Sequence, residues 1–339
     1  MTTSYRLSVL DQSPVAEGDT TADAIANTRE LARLCDDLGY YRYWLAEHHA
    51  SPGVGGTTPE ALIGPLAIET RRMRIGAGGI MMPHYSPFKV AETFSLLSAL
   101  APDRIDLGVG RALGSDGRTA FALQRDRSKM TPHDFPDQLA ELLAYLGDDL
   151  PADHPFASLA ATLPSGGGTP APWLLGTSME SANWAASAGL PYCFADFINQ
   201  EGAPIAAEYR RRFQPSRWLD APYLATAIFT IAASTQEEAE ALATPGAMMF
   251  SYLARGQLIP VPSLEKAMAW AAPRAGRPRR RKTVVGTPAK VRADLDMLGA
   301  QYGADELMLV NIMSDHAARL RSYALIAAEY GLAERAAAA

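Results

Sequence analysis

Short apolar runs alternate with longer stretches in which apolar residues recur at helical spacing, and the alternation persists to about residue 330. Tyr5 to Leu10 reads as a first strand. Thr20 opens a helix toward Leu38 with Ile25, Leu31, Leu34 and Leu38 on one stripe, and Gly39 stops it. Tyr41 to Ala46 is a second strand. Thr58-Pro59, an N-cap followed by a first-turn proline, then opens a helix to Arg71. Met73 to Met81, Arg104 to Val109, Trp173 to Leu175, Pro191 to Ala195, Tyr223 to Ala232 and Glu306 to Ile312 bring the strands to eight. Helices are predicted from Pro87 to Ala101, Pro132 to Leu146, Met179 to Ala188, Ala203 to Phe213 and Asp315 to Tyr330. Eight strands separated by helices fit an α/β fold of the (β/α)8 TIM-barrel type better than an open doubly wound sheet.

No linker divides residues 1–339, so a single domain with insertions is expected. Three stretches exceed a minimal barrel. Residues 113–131 are charged, and 147–172 are rich in Pro, Gly and small residues around Ser165-Gly166-Gly167-Gly168. Residues 244–282 end in Arg277-Pro278-Arg279-Arg280-Arg281-Lys282. Connections this long in a compact domain are commonly functional, which makes all three candidates for a lid. The basic run reads either as a clamp for an anionic ligand or as a solvated loop.

Composition narrows the class. The chain is 48% apolar and 20% charged, an ordinary globular balance. With 31 basic against 37 acidic side chains the net charge is −6, which argues against a general binder of nucleic acid or anionic membrane. Two cysteines, Cys35 and Cys193, cannot make a disulfide framework and read as buried free thiols of a reducing compartment. The start, Met1-Thr2-Thr3-Ser4-Tyr5, lacks a signal-peptide profile, and no apolar run is long enough to span a bilayer, so a cytoplasmic location is expected.

In such a barrel chemistry gathers where strands end. After the second strand stands Glu47-His48-His49. Neighbouring side chains on an extended segment point to opposite faces, so one histidine is available as an acid or base. No other His, Cys or Asp pair has metal-ligand spacing, and no metal is assigned. After the third strand comes Gly76-Ala77-Gly78-Gly79-Ile80-Met81-Met82-Pro83, whose glycines suit either a flat ligand or a close approach of backbones. Gly108-Val109-Gly110-Arg111-Ala112-Leu113-Gly114 has the wrong spacing for a dinucleotide fingerprint, and Arg111 reads as a cation able to hold a phosphate or carboxylate, or as half of a salt bridge. Gly176-Thr177-Ser178-Met179-Glu180-Ser181 opens a helix whose free N–H groups and hydroxyls suit a phosphate. Thr177 and Glu180 also have the spacing of a self-contained capping box. Trp184 and Trp270 read as packing residues, and Met81 and Met82 as pocket lining or core.

Together these segments resemble the bacterial luciferase-like, flavin-dependent monooxygenases. The matching pieces are Tyr43-Trp44-Leu45-Ala46-Glu47-His48-His49, Gly78-Gly79-Ile80-Met81-Met82-Pro83, Ser86-Pro87-Phe88-Lys89-Val90-Ala91-Glu92 and Arg104-Ile105-Asp106-Leu107-Gly108-Val109-Gly110-Arg111. Trp184-Ala185-Ala186-Ser187-Ala188-Gly189-Leu190-Pro191, Val285-Gly286-Thr287-Pro288 and Gly303-Ala304-Asp305-Glu306-Leu307-Met308 follow in family order. The resemblance implies FMN at the C-terminal mouth of a TIM barrel. On this implication Arg111, Ser178 and Ser181 contact the phosphate and Thr177 contributes a backbone contact. Gly78 and Gly79 share a non-proline cis peptide beneath the flavin ring, and His48 is the catalytic histidine.

The implied reaction uses reduced FMN and O2, through a C4a-peroxide, to oxygenate a small organic substrate. Lacking a nicotinamide motif, the chain would receive reduced flavin from a separate reductase, and the family resemblance implies a homodimer. Gly110 stands where the luciferases proper carry a thiol and Ser86 where they carry a histidine, so light emission is not expected. Rival readings are a deazaflavin (F420) oxidoreductase, a flavin-storage protein without turnover, and a metal hydrolase built on Glu47-His48-His49.

Overall fold

The structure is a computed structural model that describes residues 5–123, 134–274 and 283–334. Its strands are β1 (Arg6–Asp11), β2 (Arg42–Leu45), β3 (Arg74–Met81), β4 (Ile105–Gly110), β5 (Ala171–Gly176), β6 (Tyr192–Ala195), β7 (Leu224–Ala232), β8 (Val284–Gly286) and β9 (Glu306–Val310). All pairings between these strands are parallel. Seven strands follow one another from β1 to β7, and β9 closes the ring between β7 and β1. The result is a closed eight-stranded parallel barrel with helices between its strands, the TIM barrel of the sequence pattern. Strand β8 stands outside the ring and, among the described residues, pairs only with the last residues of β7, Thr230 to Ala232.

The helices are α1 (Thr21–Leu38), α2 (Pro59–Glu69), α3 (Pro87–Leu100), α4 (Gly117–Leu123), α5 (Phe135–Gly147), α6 (Ala157–Ala160), α7 (Met179–Ala188), α8 (Ala203–Arg212), α9 (Gln236–Leu242), α10 (Thr244–Leu253), α11 (Leu264–Ala271), α12 (Pro288–Tyr302) and α13 (His316–Tyr330). Local chemistry sets several of their ends. Thr20 and Asp23 form a reciprocal capping box at the start of α1, and Gly39 ends it at φ 87°. The insertion of residues 244–282 is not a bare loop: α10 and α11 lie in it, and neither they nor β8 and α12 were anticipated. Residues 113–131 hold α4, while 147–172 hold α6 and the first residues of β5. The basic run Arg277 to Lys282 lies outside the described residues, as does the start expected for the helix at Pro132.

Each barrel strand alternates between two cores. Leu7, Val9, Tyr43, Leu45, Ile75, Ile105, Leu107, Leu174, Leu307 and Leu309 face the helices. Leu10, Trp44, Ala46, Trp173, Cys193, Ala225, Ala227, Met308 and Val310 fill the inside. The N-terminal end of the barrel is closed by charge. Buried Arg42 reaches Asp106 at 2.6 Å and Glu306 at 2.7 Å, and Arg74 meets the other Asp106 oxygen at 2.7 Å. Trp44 Nε1 donates to Asp106 at 2.9 Å and the Tyr223 hydroxyl to Glu306 at 2.8 Å. Cys35 and Cys193 are buried and free.

Candidate functional site

At the opposite, C-terminal end the interior positions are Gln12 after β1, Ala46 and then His48 after β2, Gly78 on β3, Gly110 on β4, Leu175 on β5 and Phe229 on β7. Strand β2 ends at Leu45, so Glu47-His48-His49 is irregular backbone, fastened by His48 N to Gly56 O at 2.9 Å and His49 N to Gly114 O at 3.1 Å. The two imidazoles part company. His48 Nε2 lies 2.8 Å from Gln12 Oε1, whereas His49 Nε2 lies 2.7 Å from Glu47 Oε1. Burial, and then the neighbouring His49, push the His48 pKa below its ordinary value, so its ring is neutral at pH 7. The Gln12 amide can present either its oxygen or its NH2 group and so can follow a proton onto or off Nε2.

Glu47 is a hub beneath this segment. It is fully buried, and besides His49 it accepts the Tyr85 hydroxyl at 2.9 Å and the Met81 N–H at 2.9 Å. One carboxylate thus ties the end of β2 to the end of β3, two residues beyond Gly79. Next to it, two buried polar atoms have no partner: His84 Nδ1 and Glu60 Oε2. His84 donates only through Nε2, to Leu113 O at 2.8 Å, and packs edge-on against His49. Burial, and then the Glu47 charge, raise the Glu60 pKa. Among the described residues no group of three His, Cys, Asp or Glu side chains could hold a metal ion.

The peptide between Gly78 and Gly79 is cis. Close packing explains why side chains are missing here. A Cβ at Gly78 would sit 2.8 Å from Leu10 Cδ1 and 2.9 Å from Trp44, and one at Gly79 would sit 2.6 Å from the Gly108 carbonyl. Strand register also shifts between Ala77 and Ile80 against β4. Gly110 differs, because the nearest atom to its virtual Cβ is Leu175 O at 3.9 Å. The β3–β4 arc therefore has a smooth wall, with open space beside Gly110.

Arg111 follows directly and points at the start of α7. Its Nη2 meets Glu180 Oε2 at 3.1 Å, and its guanidinium lies 5.1 Å from the Trp184 ring centroid. Trp184 in turn rests on Phe135 at 5.3 Å, the packing role expected of it. The helix does cap itself, but one residue later than Thr177–Glu180 spacing allowed. Ser178 is the N-cap and Ser181 its reciprocal partner. The Ser181 hydroxyl is 2.8 Å from the Tyr192 hydroxyl and sits against Gly176, where a Cβ would collide with it. Ser181 is 7% exposed, so it lies under the helix start, while Ser178 is half-buried and Arg111 exposed. Thr177 contributes its carbonyl, which accepts Asn199 Nδ2 at 3.0 Å.

The fold thus places the residues named from sequence at neighbouring strand ends: His48 after β2 and Gly78-Gly79 on the paired β3, Arg111 after β4 and Thr177, Ser178 and Ser181 after the paired β5. Gln12, Tyr85, Glu60 and the extent of the Glu47 hub were not found that way. A buried Gln at a strand end was the available signal for the first. The other contacts join residues tens of positions apart and have no local signature.

Comparison with known proteins gives the family. The luciferase-like monooxygenase family matches residues 5–306. YwcH of Bacillus subtilis is 43% identical over 329 residues, covering 94% of this chain and 97% of that protein. The N-acetyl-S-alkylcysteine monooxygenase of the same organism is 38% identical over 328 residues, covering 95% and 97%. The crystal structure of apo-MsnO8 superposes with a TM-score of 0.89 at 37% identity, covering 98% of this chain and 99% of that one. The fold alone is shared with an FMN complex of 3,6-diketocamphane monooxygenase from Pseudomonas putida (TM-score 0.71, 18% identity, 95% and 97% coverage). It is shared likewise with an F420-dependent tetrahydromethanopterin reductase of Methanopyrus kandleri (0.63, 13%, 96% and 98%). The chain belongs to the luciferase-like monooxygenase family.

Proposed function

We propose that the protein is an FMN-dependent monooxygenase that takes reduced FMN and O2, through the flavin C4a-peroxide of the family reading, and oxygenates a small organic substrate. The observation that carries the reading is the pairing of Arg111 with the solvent-facing N-terminus of α7 beside the open space at Gly110. A cation, an N-cap hydroxyl at Ser178 and first-turn N–H groups in one place suit the phosphate of FMN. Ser181 acts from below by holding Ser178, and Thr177 lines the approach through its backbone. The smooth wall around Gly78-Gly79 would receive the flat ring.

Bound reduced FMN supplies the two electrons that let one oxygen atom enter the substrate while the other leaves as water. The chain's own part is to hold that reagent away from solvent and to manage a proton at His48. Neutral at pH 7, His48 accepts a proton at the ring, with Gln12 adjusting to either tautomer. Reduced flavin would come from a separate reductase. A homodimer is supported by an apolar patch on two adjacent helices: Ile68 of α2 is 70% exposed, and Leu96 and Leu100 of α3 are 61% and 51% exposed. The protein would work in the cytoplasm. No helix among the described residues is long and apolar enough to cross a membrane.

Equilibrium dialysis against FMN and riboflavin tests the phosphate grip. Arg111→Ala should weaken FMN binding about 10–100-fold and leave riboflavin within about two-fold, since only FMN carries the phosphate. Air admitted to the photoreduced complex should then give an absorbing transient that outlives free reduced flavin. Light scattering should give twice the chain mass. No FMN retained at ~1 mM sinks the reading. F420 held in its place favours hydride transfer, and reoxidation as fast as in buffer favours storage.

A further inference from the structure

The mouth has two unlike arcs. From β1 to β4 its inward positions carry Gln12, His48, Gly78 and Gly110, polar or without side chains. From β5 to β9 they carry Leu175, Phe229 and Val310. Phe229 is the last inward residue of β7 in register with β9, opposite Val310, and only Ala227 and Ala225 lie below it on that strand. Two further rings, from residues outside the strands, pack on it: Phe197, after β6, at 5.1 Å and 55°, and Phe250 of α10 at 4.9 Å and 56°. All three are only partly buried, although Val310 and Ala227 beside them are closed off, so ring surface remains open at this end of β7.

The wall is fixed to the loops that carry His48 and Gln12. Val261 exchanges backbone hydrogen bonds with Val15 and Glu17, and Val15 N donates to Gly53 O. Gly53 abuts Ile259 and the Met249 sulfur, and Gly246 abuts Ile312. The insertion that brings Phe250 is therefore seated on the loops after β1 and β2. No charged residue occurs on α10, and the one carboxyl at the end of β6, Asp196, is buried and accepts the Tyr302 hydroxyl at 2.7 Å. Arg255, just beyond α10, is exposed and lies over Tyr252. An anion placed against the three rings would lose its hydration and find no partner, and a cation would recover only part of that cost from the ring faces.

We infer that the Phe197–Phe229–Phe250 wall is the substrate's side of the site and determines specificity for a neutral, apolar aryl or alkyl group, presented across the mouth from His48. The inference rests on the FMN reading only for what fills the glycine-walled arc. The wall itself is read without flavin.

The test uses a matched set of probes, 4-methylanisole, 4-methoxybenzoate and 4-methoxybenzylamine, with dissociation constants from ligand-observed NMR on the apoprotein and on the FMN-saturated protein. The neutral probe should bind at least about ten-fold more tightly than either ion. Phe229→Ala and Phe250→Ala should each weaken it about ten-fold while FMN affinity stays within about two-fold. Phe250→Glu, on a partly exposed helix position, should favour the amine over the neutral probe. Equal binding of all three probes, or neutral-probe binding unchanged in both alanine variants, overturns the assignment. FMN failing to bind while the probe pattern holds would sink the flavin reading and leave the wall standing.

Discussion

The two ends of the barrel handle charge in opposite ways. At the N-terminal end Arg42 and Arg74 face Asp106 and Glu306, two cations against two carboxylates, and hydrogen bonds from Trp44 and Tyr223 occupy the remaining acceptors. At the C-terminal end Arg111 is 41% exposed and held by one carboxylate on the surface, His84 Nδ1 and Glu60 Oε2 are buried without partners, and the strands offer glycines. A saturated network has nothing left to give a ligand, so its residues serve the closed barrel. An unsaturated one keeps donors, acceptors and space in reserve. The same residue type, arginine, is structural at one end and available for recognition at the other because of what surrounds it.

The sharpest way to break the contrast is to open the saturated end. Arg42→Met removes the partner of two fully buried carboxylates and should cost about 3–5 kcal/mol in urea unfolding. A loss below about 1 kcal/mol would mean that the network does not hold the barrel. At the open end, His48→Ala should lower turnover about 10²–10⁴-fold with FMN binding unchanged. The working ring is the neutral one, and burial with His49 keeps its pKa below the ordinary histidine value of about 6.5. Turnover should therefore hold above pH 7 and fall only on the acid side of that value. An acid limb retained in the alanine variant would assign the proton elsewhere.

The smallest effect concerns the surface pair. Glu180 occupies Arg111 and places a negative charge at the phosphate's expected position, so Glu180→Gln should tighten FMN binding about two- to five-fold, without changing riboflavin binding. The gain should fade in ~0.5 M salt. Weaker FMN binding in this variant would show that Glu180 supports the grip.

Legibility in the sequence followed the range of the interactions. Thr20 and Gly39 gave both ends of α1, because capping and a left-handed C-terminal glycine are local events. Strand β8, three residues long, carries too little pattern to stand out from its surroundings. Helix α12 buries Val291, Leu295, Gly299 and Tyr302, a stripe interrupted by a glycine, which left Thr287-Pro288 as an unused local signal for its start. At α7 two overlapping pairs had capping spacing. Ser178–Ser181 is the one used because Ser181 fits against Gly176 and reaches Tyr192, contacts that arise only once β5 and β6 are side by side.

The order of strands and helices, and with it the barrel, was already specified by amino-acid pattern, since periodic burial is a property of neighbours along the chain. So were the segments that end at the mouth, among them Glu47-His48-His49, Gly78-Gly79 and Arg111. Closure decided the rest. It set which histidine meets Gln12 and which meets Glu47, and it put Arg111 against Glu180, 69 residues away. It also brought Phe250 from an insertion onto Phe229. Side-chain partners across a ring of strands depend on register and packing around the full circle, and no stretch of the chain holds that information alone.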